Sequence, residues 1–269
     1  MKNVAGKIAL ITGGAMGMGR LVAFRCARDG ARIVIWDMNS EATDKTVKEL
    51  KAIGADAHGY IVDVTDIASV GEAAEKVKRE VGDVDILVNN AGIVAGGGFL
   101  EVPIETHAKV IDVNINGVMY CTHAFLPGMI ESKAGHIVNI ASAAGLIGVA
   151  GVTSYSASKF AVVGFTEALR TELRKMKLKD IQTTTVCPSF VDTGMFAGVK
   201  APMFTPLMTP EEMADKIYEG LRKDKIMVKA PRMVKYIPIF KALSHPNHFS
   251  VLGQVMGVHS AMDKWTGRN

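Results

Sequence analysis

Short runs rich in β-branched residues recur along the chain at 8–11, 33–36, 57–62, 86–88, 136–140, 182–186 and 226–228, apolar without regular alternation. Strands of that kind are covered on both faces, as in parallel sheets. Between them, apolar positions repeat with a period near 3.6 over 20–29, 40–53, 67–81, 159–176 and 211–223, which predicts helices. The alternation βαβαβ predicts an α/β fold: a doubly wound parallel sheet (Rossmann fold) of about seven strands with helices on both faces. No repeat, low-complexity tract or linker interrupts it, so 1–269 reads as a single domain.

Two stretches depart from the pattern. Residues 192–210 carry Gly194, Gly198, Pro202, Pro206 and Pro210 among Met195, Phe196, Met203, Phe204, Leu207 and Met208. An apolar insertion so punctuated reads as a substrate lid, with a structural flap or dimer contact as the alternative. The C-terminal extension 242–269 is expected to pack at a subunit interface.

At 48% hydrophobic and 22% charged residues the composition is that of an ordinary globular protein, which excludes disorder and a disulfide scaffold. Cys26, Cys121 and Cys187 are far apart and form no metal or disulfide spacing, and a reducing, cytoplasmic setting is expected. The start enters a strand at once, without a cleavable apolar region, and no run of about 20 apolar residues follows, so neither export nor membrane spanning is expected. The net charge of +4 is a C-terminal feature, since 200–269 holds 11 basic against 6 acidic residues. Nucleic acid is not expected, because no basic run has interleaved stacking aromatics. Seven basic residues between 222 and 241, with apolar residues interspersed, leave at most a peripheral lipid contact. His245 and His248 stand three apart with Pro246 between them and no acidic residue nearby in the sequence, so no metal is expected there, and the other histidines read as structural.

The chemistry starts after the first strand, at Gly13, Gly14, Met16, Gly17, Met18 and Gly19, spaced Gly-x-x-x-Gly-x-Gly. Glycines let backbone approach a pyrophosphate, and the helix that follows presents free N–H groups to the anion. Asp37 ends the second strand and suits a ribose diol; Met18 and Met38 beside it bring no cation for a 2′-phosphate, so NAD(H) is favoured over NADP(H). Tyr155 and Lys159, at i and i+4, share a helix face, and an adjacent ammonium is expected to lower the phenol's pKa. Ser142, past the end of the strand at 136–140, and Asn90, Ala91 and Gly92, past the strand at 86–88, stand at the same sheet edge.

With these residues in this order the chain resembles the short-chain dehydrogenase/reductase family over at least residues 5–230. Its stretches at 82–92, 124–129, 135–138 and 141–145 resemble most the branch of retinol dehydrogenases and 17β-hydroxysteroid dehydrogenases. The resemblance implies that Tyr155 is the general acid/base, that Ser142 binds the substrate oxygen, and that Lys159 binds the nicotinamide ribose. It implies that Asn114 holds a water linking Lys159 to solvent, with a helix-bending amide as the alternative. Asp63 and Val64 would contact adenine; Asn90, Ala91 and Gly92 would flank the cofactor; Pro188, Val191 and Thr193 would border the nicotinamide. Ser189 stands where the family often has glycine, which the loop tolerates if its φ is negative. The branch implies an apolar alcohol or ketone, a homo-oligomer in the form of a dimer or tetramer, and a pocket of Val94, Ala144, Leu146, Val149, Phe190, Met195 and Phe196. A short-chain or cyclic alcohol and a non-catalytic NAD(H) sensor are the alternatives, and the intact Ser142, Tyr155 and Lys159 argue against the sensor.

Overall fold

The computed structural model describes residues 3–203, 205–245, 251 and 253–267, so Phe204 and the 246–248 part of the histidine pair lie outside it. Seven parallel strands form one sheet: β1 (Ile8–Thr12), β2 (Arg32–Asp37), β3 (Ala57–Ile61), β4 (Ile86–Asn89), β5 (Gly135–Ile140), β6 (Ile181–Pro188) and β7 (Met227–Ala230). Their order is β3-β2-β1-β4-β5-β6-β7, so the winding reverses between β1 and β4 and opens a crevice above their carboxyl ends. Every residue of β1, β4 and β5 is buried, which accounts for runs without alternation.

The helices are α1 (Gly17–Arg28), α2 (Ser40–Ala52), α3 (Ile67–Glu80), α4 (Ile104–Ile111), α5 (Gly117–Ser132), α6 (Thr153–Lys175), α7 (Pro210–Arg222) and α8 (Ile237–Leu243). They enclose one apolar core on each face of the sheet, one built on Ile11, Ile33, Val88 and Val186 and the other on Leu10, Val34, Leu87 and Ile137. α1 and α6 begin earlier than periodicity indicates, because the glycine and serine buried in their first turns, such as Gly19, Ser154 and Ser156, leave no apolar signal.

Periodicity gave no bounds between β4 and β5, where α4 and α5 are joined by a π-helical turn at Asp112–Asn116. Valine, isoleucine and asparagine there are weak helix formers, and Pro127 lies inside α5, so the local signal is faint. A buried polar ladder ties the central strands to α6: the Asn89 amide donates to Asn139 Oδ1 at 2.8 Å, and the Asn139 amide donates to Thr166 Oγ1 at 2.9 Å. It fixes α6 against the carboxyl ends of β4 and β5. Among the described residues no helix is long and apolar enough to cross a membrane.

Candidate active site

The turn between β1 and α1 is held closer to its neighbours than any side chain would permit. A Cβ on Gly13, whose φ is +59°, would lie 2.9 Å from Ala91 Cα, and one on Gly19 would lie 2.5 Å from the Asn90 amide nitrogen. Asn90 is the brace: its Nδ2 donates to the carbonyls of Thr12 and Gly13, at 3.0 and 2.9 Å. No side chain caps α1, so its N-terminal N–H groups point into the crevice. Asp37 pins the turn from β2, accepting from Ala15 N through Oδ2 and from Asn39 N through Oδ1, each at 3.1 Å. Each oxygen keeps acceptor capacity for a diol.

These elements border a groove of about 330 Å³. Met16, Gly17, Met18, Asp37 and Met38 line one part, and Asp63, Val64, Asn90, Ala91 and Gly92 the next. Pro188, Val191 and Thr193 complete it beside Tyr155 and Lys159. Gly19 does not line it; buried under Asn90, it contributes close packing instead. Sequence reasoning missed Lys109, Val113 and Trp36, which also border the groove. Ser189 avoids positive φ and is fixed by donation of its N–H to Ala230 O at 2.7 Å.

Asn114 does not line the groove. Wholly buried in the π-helical turn, its amide accepts from Ile93 N at 2.9 Å and donates to Ile93 O and to Ser158 Oγ, at 2.9 and 3.0 Å. Its side chain is therefore a clamp on the loop after β4, with both amide donors engaged and one lone pair of Oδ1 left over. Gly92 lies between this amide and Lys159: a Cβ there would be 3.2 Å from Asn114 Oδ1 and 3.5 Å from Lys159 Nζ.

Ser142, Tyr155 and Lys159 meet where the groove opens into a second cavity. Lys159 Nζ donates to Ile140 O at 2.8 Å and stands 5.5 Å from the centre of the Tyr155 ring. Burial pushes the Tyr155 phenol up to about 12, and the Ser142 hydroxyl beside it pulls the other way. Burial also draws the Lys159 ammonium down to about 8. The expected lowering of the phenol by the ammonium is not met: desolvation of the phenolate among Ala144, Val152 and Phe196 raises it, and the opposing pull comes from Ser142 rather than Lys159.

The second cavity, of about 310 Å³, shares Ser142, Tyr155, Ser189 and Phe196 with the groove and is otherwise almost wholly apolar. Of the expected pocket residues, Ala144, Val149, Phe190 and Phe196 line it. Val94 does not, although it packs against the same apolar cluster as Tyr155; Leu146 packs against the cluster of Ala141 and Val162; Met195 borders the groove instead. From the lid, Met203 lines the cavity, whereas Met208 is buried in the core and Leu207 is exposed.

The sequence did not reveal the far wall, made of Met233, Ile237, Phe240, Met256, Val258 and Met262. The extension thus packs on its own lid: Trp265 Nε1 donates to Met195 O at 3.0 Å, and its ring fills the space over Gly96. The only advance signal was the apolar content of that tail.

Residues 7–203 match the family described as short chain dehydrogenase. Epidermal retinol dehydrogenase 2 of Mus musculus is 42% identical to the chain over 270 residues, covering 99% of it and 87% of the relative. Estradiol 17-beta-dehydrogenase 11 of Macaca fascicularis is 36% identical over 259 residues, covering 96% and 85%. A crystal structure of a short chain dehydrogenase/reductase from Burkholderia phymatum in complex with NAD is similar with a TM-score of 0.81 and 29% identity, over 90% of this chain and 95% of that one. The glycine turn, the seven-stranded order and this extent of matched sequence agree, and the chain belongs to the short-chain dehydrogenase family.

Proposed function

We propose that the chain is an NAD(H)-dependent oxidoreductase that moves hydride reversibly between the nicotinamide cofactor and a hydrophobic alcohol or its ketone. One observation carries the reading: Ser142 and Tyr155 stand where a polar groove with a glycine cradle meets an apolar cavity. The groove fits a dinucleotide, since Gly13 and Gly17 line it at positive φ beside the uncapped start of α1 and Asp37 retains acceptor capacity. The cations bordering it, Lys109 and Lys159, come from α4 and α6 and not from β2 or its following turn, which supports NAD(H) over NADP(H).

The bound nicotinamide supplies the hydride acceptor or donor. The chain's own residues handle the proton and the substrate oxygen. Ser142 Oγ hydrogen-bonds that oxygen, Tyr155 gives it a proton in reduction and takes one in oxidation, and Lys159 binds the nicotinamide ribose. Burial favours the protonated phenol, so Tyr155 is set by its surroundings as the acid of carbonyl reduction. Among the described residues the remaining wall offers no charged partner, which supports a substrate with one polar end, of steroid, retinoid or lipid type. The family resemblance supports a homo-oligomer, and the three free, buried cysteines support a reducing, cytoplasmic setting; a monodisperse monomer in light scattering would argue against the first.

The test is absorbance at the NADH band with NAD⁺ and NADP⁺ against short, cyclic, steroid and retinoid alcohols, with Tyr155→Phe alongside. Turnover with NAD⁺ on apolar alcohols is expected, falling about 10²–10⁴-fold in the variant while NADH affinity holds. Turnover surviving in Tyr155→Phe would sink the assigned role.

A further inference from the structure

The wall that closes the apolar cavity also has an outward face. Between Asp224 and Asp263 the chain runs through 38 residues without an aspartate or glutamate, yet carries Lys225, Lys229, Arg232, Lys235 and Lys241. Arg232 and Lys235 are exposed, and among the described residues no carboxylate pairs with either. α8 sends Ile237 into the cavity while Ile239 and Leu243 are 53% and 82% exposed. Further on, Gly253 and Met256 border the cavity, and Val251 and Val255 face out. Met203 and Phe240 do both: they line the cavity and are about half exposed, at 55% and 46%, which places them at its mouth.

We propose that this face docks on an anionic lipid surface, with the mouth of the cavity turned toward the hydrocarbon. An apolar patch flanked by the unpaired Arg232 and Lys235, on a segment that itself carries no carboxylate, is complementary to such a surface. A second copy of the chain fits poorly, because two such faces would bring like charges together with nothing to offset them. Docking would let an apolar alcohol pass from the bilayer into the cavity without crossing water. That role rests on the substrate proposed above, whereas the docking itself does not.

The experiment is flotation of the whole chain with vesicles of phosphatidylcholine, with and without phosphatidylglycerol, at low and high salt. Flotation is expected only with phosphatidylglycerol, weakened by salt. Each basic residue near the surface is worth about fivefold in affinity. Arg232→Glu with Lys235→Glu should therefore lower vesicle affinity by about 25-fold or more. Ile239→Asp with Leu243→Asp should abolish flotation, and melting temperature and NADH binding, as controls of folding, should hold in both variants. With an apolar alcohol carried in the vesicles, KM should rise in the charge-reversed variant at unchanged kcat, and should not change when detergent carries the alcohol. A wild-type chain left in the dense fraction overturns the proposal, as does flotation indifferent to lipid charge. So does a dimer that Leu243→Asp converts to a monomer. Flotation without turnover of any apolar alcohol would sink the substrate reading and leave the docking standing.

Discussion

Asn114→Ala should destabilise the protein far more than an exposed asparagine would, because among the described residues its amide alone hydrogen-bonds both backbone groups of Ile93. The side chain is fully buried, and its two bonds to Ile93 are 2.9 Å long. Truncation leaves one N–H and one C=O without it, at about 1–3 kcal/mol each. The Ser158 hydroxyl loses a donor but keeps its own donation to Tyr155 O at 2.7 Å, so it adds little. The sum is about 2–6 kcal/mol, a large part of the ~5–15 kcal/mol of a typical domain. At about 2–4 °C per kcal/mol the melting temperature should drop by roughly 4–24 °C. Calorimetry measures the drop, and hydrogen exchange at the Ile93 amide locates it. A variant that melts within about 2 °C of wild type, with that amide still protected, would refute the clamp.

Asp37→Ala should raise the preference for NADP⁺ relative to NAD⁺ by losing the diol acceptor and the repulsion of a 2′-phosphate; an unchanged ratio of kcat/KM values would remove Asp37 from that role. Lys159 should mark the pH dependence of stability. Its ammonium titrates near 8 when folded against an ordinary 10.5, so the cost of burying the charge is complete below pH 8 and is relieved as pH rises toward 10.5. Lys159→Met should therefore remove a rise in stability between about pH 8 and 10. Comparing variant with wild type cancels the opposite slope from Cys26 and Cys121, whose thiols burial pushes up to about 12; equal slopes in urea titrations would refute the assignment. Between two apolar alcohols differing by one distal hydroxyl, the one without it should have a kcat/KM higher by about tenfold or more, since the far wall offers a hydroxyl no charged partner. Equal values would show that the distal end is wet.

The parallel sheet was legible because each central strand is buried on both faces, and that constraint writes itself into consecutive residues such as Ile33, Val34, Ile35 and Trp36. The groove was legible for a related reason. Backbone approaching backbone at Gly13 and Gly19 demands glycine at fixed places, so the demand is recorded locally. Nothing local distinguishes Ala144, which lines the cavity, from Leu146, which turns the other way into Ala141 and Val162. That choice belongs to the 3-10 turn at Ala143–Gly145, where a step of two residues changes the face presented.

The apolar wall was the least legible part because its contacts span the chain. Lys200 N donates to Ala261 O at 3.1 Å, Met203 N to Met256 O at 2.9 Å, and Thr266 N to Ala197 O at 3.0 Å, so lid and tail close on each other through backbone rather than through a motif. Backbone pairing leaves the side chains there free to vary in kind so long as they remain apolar. The chemistry at Tyr155 is therefore set by residues the sequence announces, while the shape of what reaches it is set by residues it does not. A change at Met256 or Met262 should accordingly move KM among apolar alcohols and spare NADH binding, since both line the cavity and neither borders the groove.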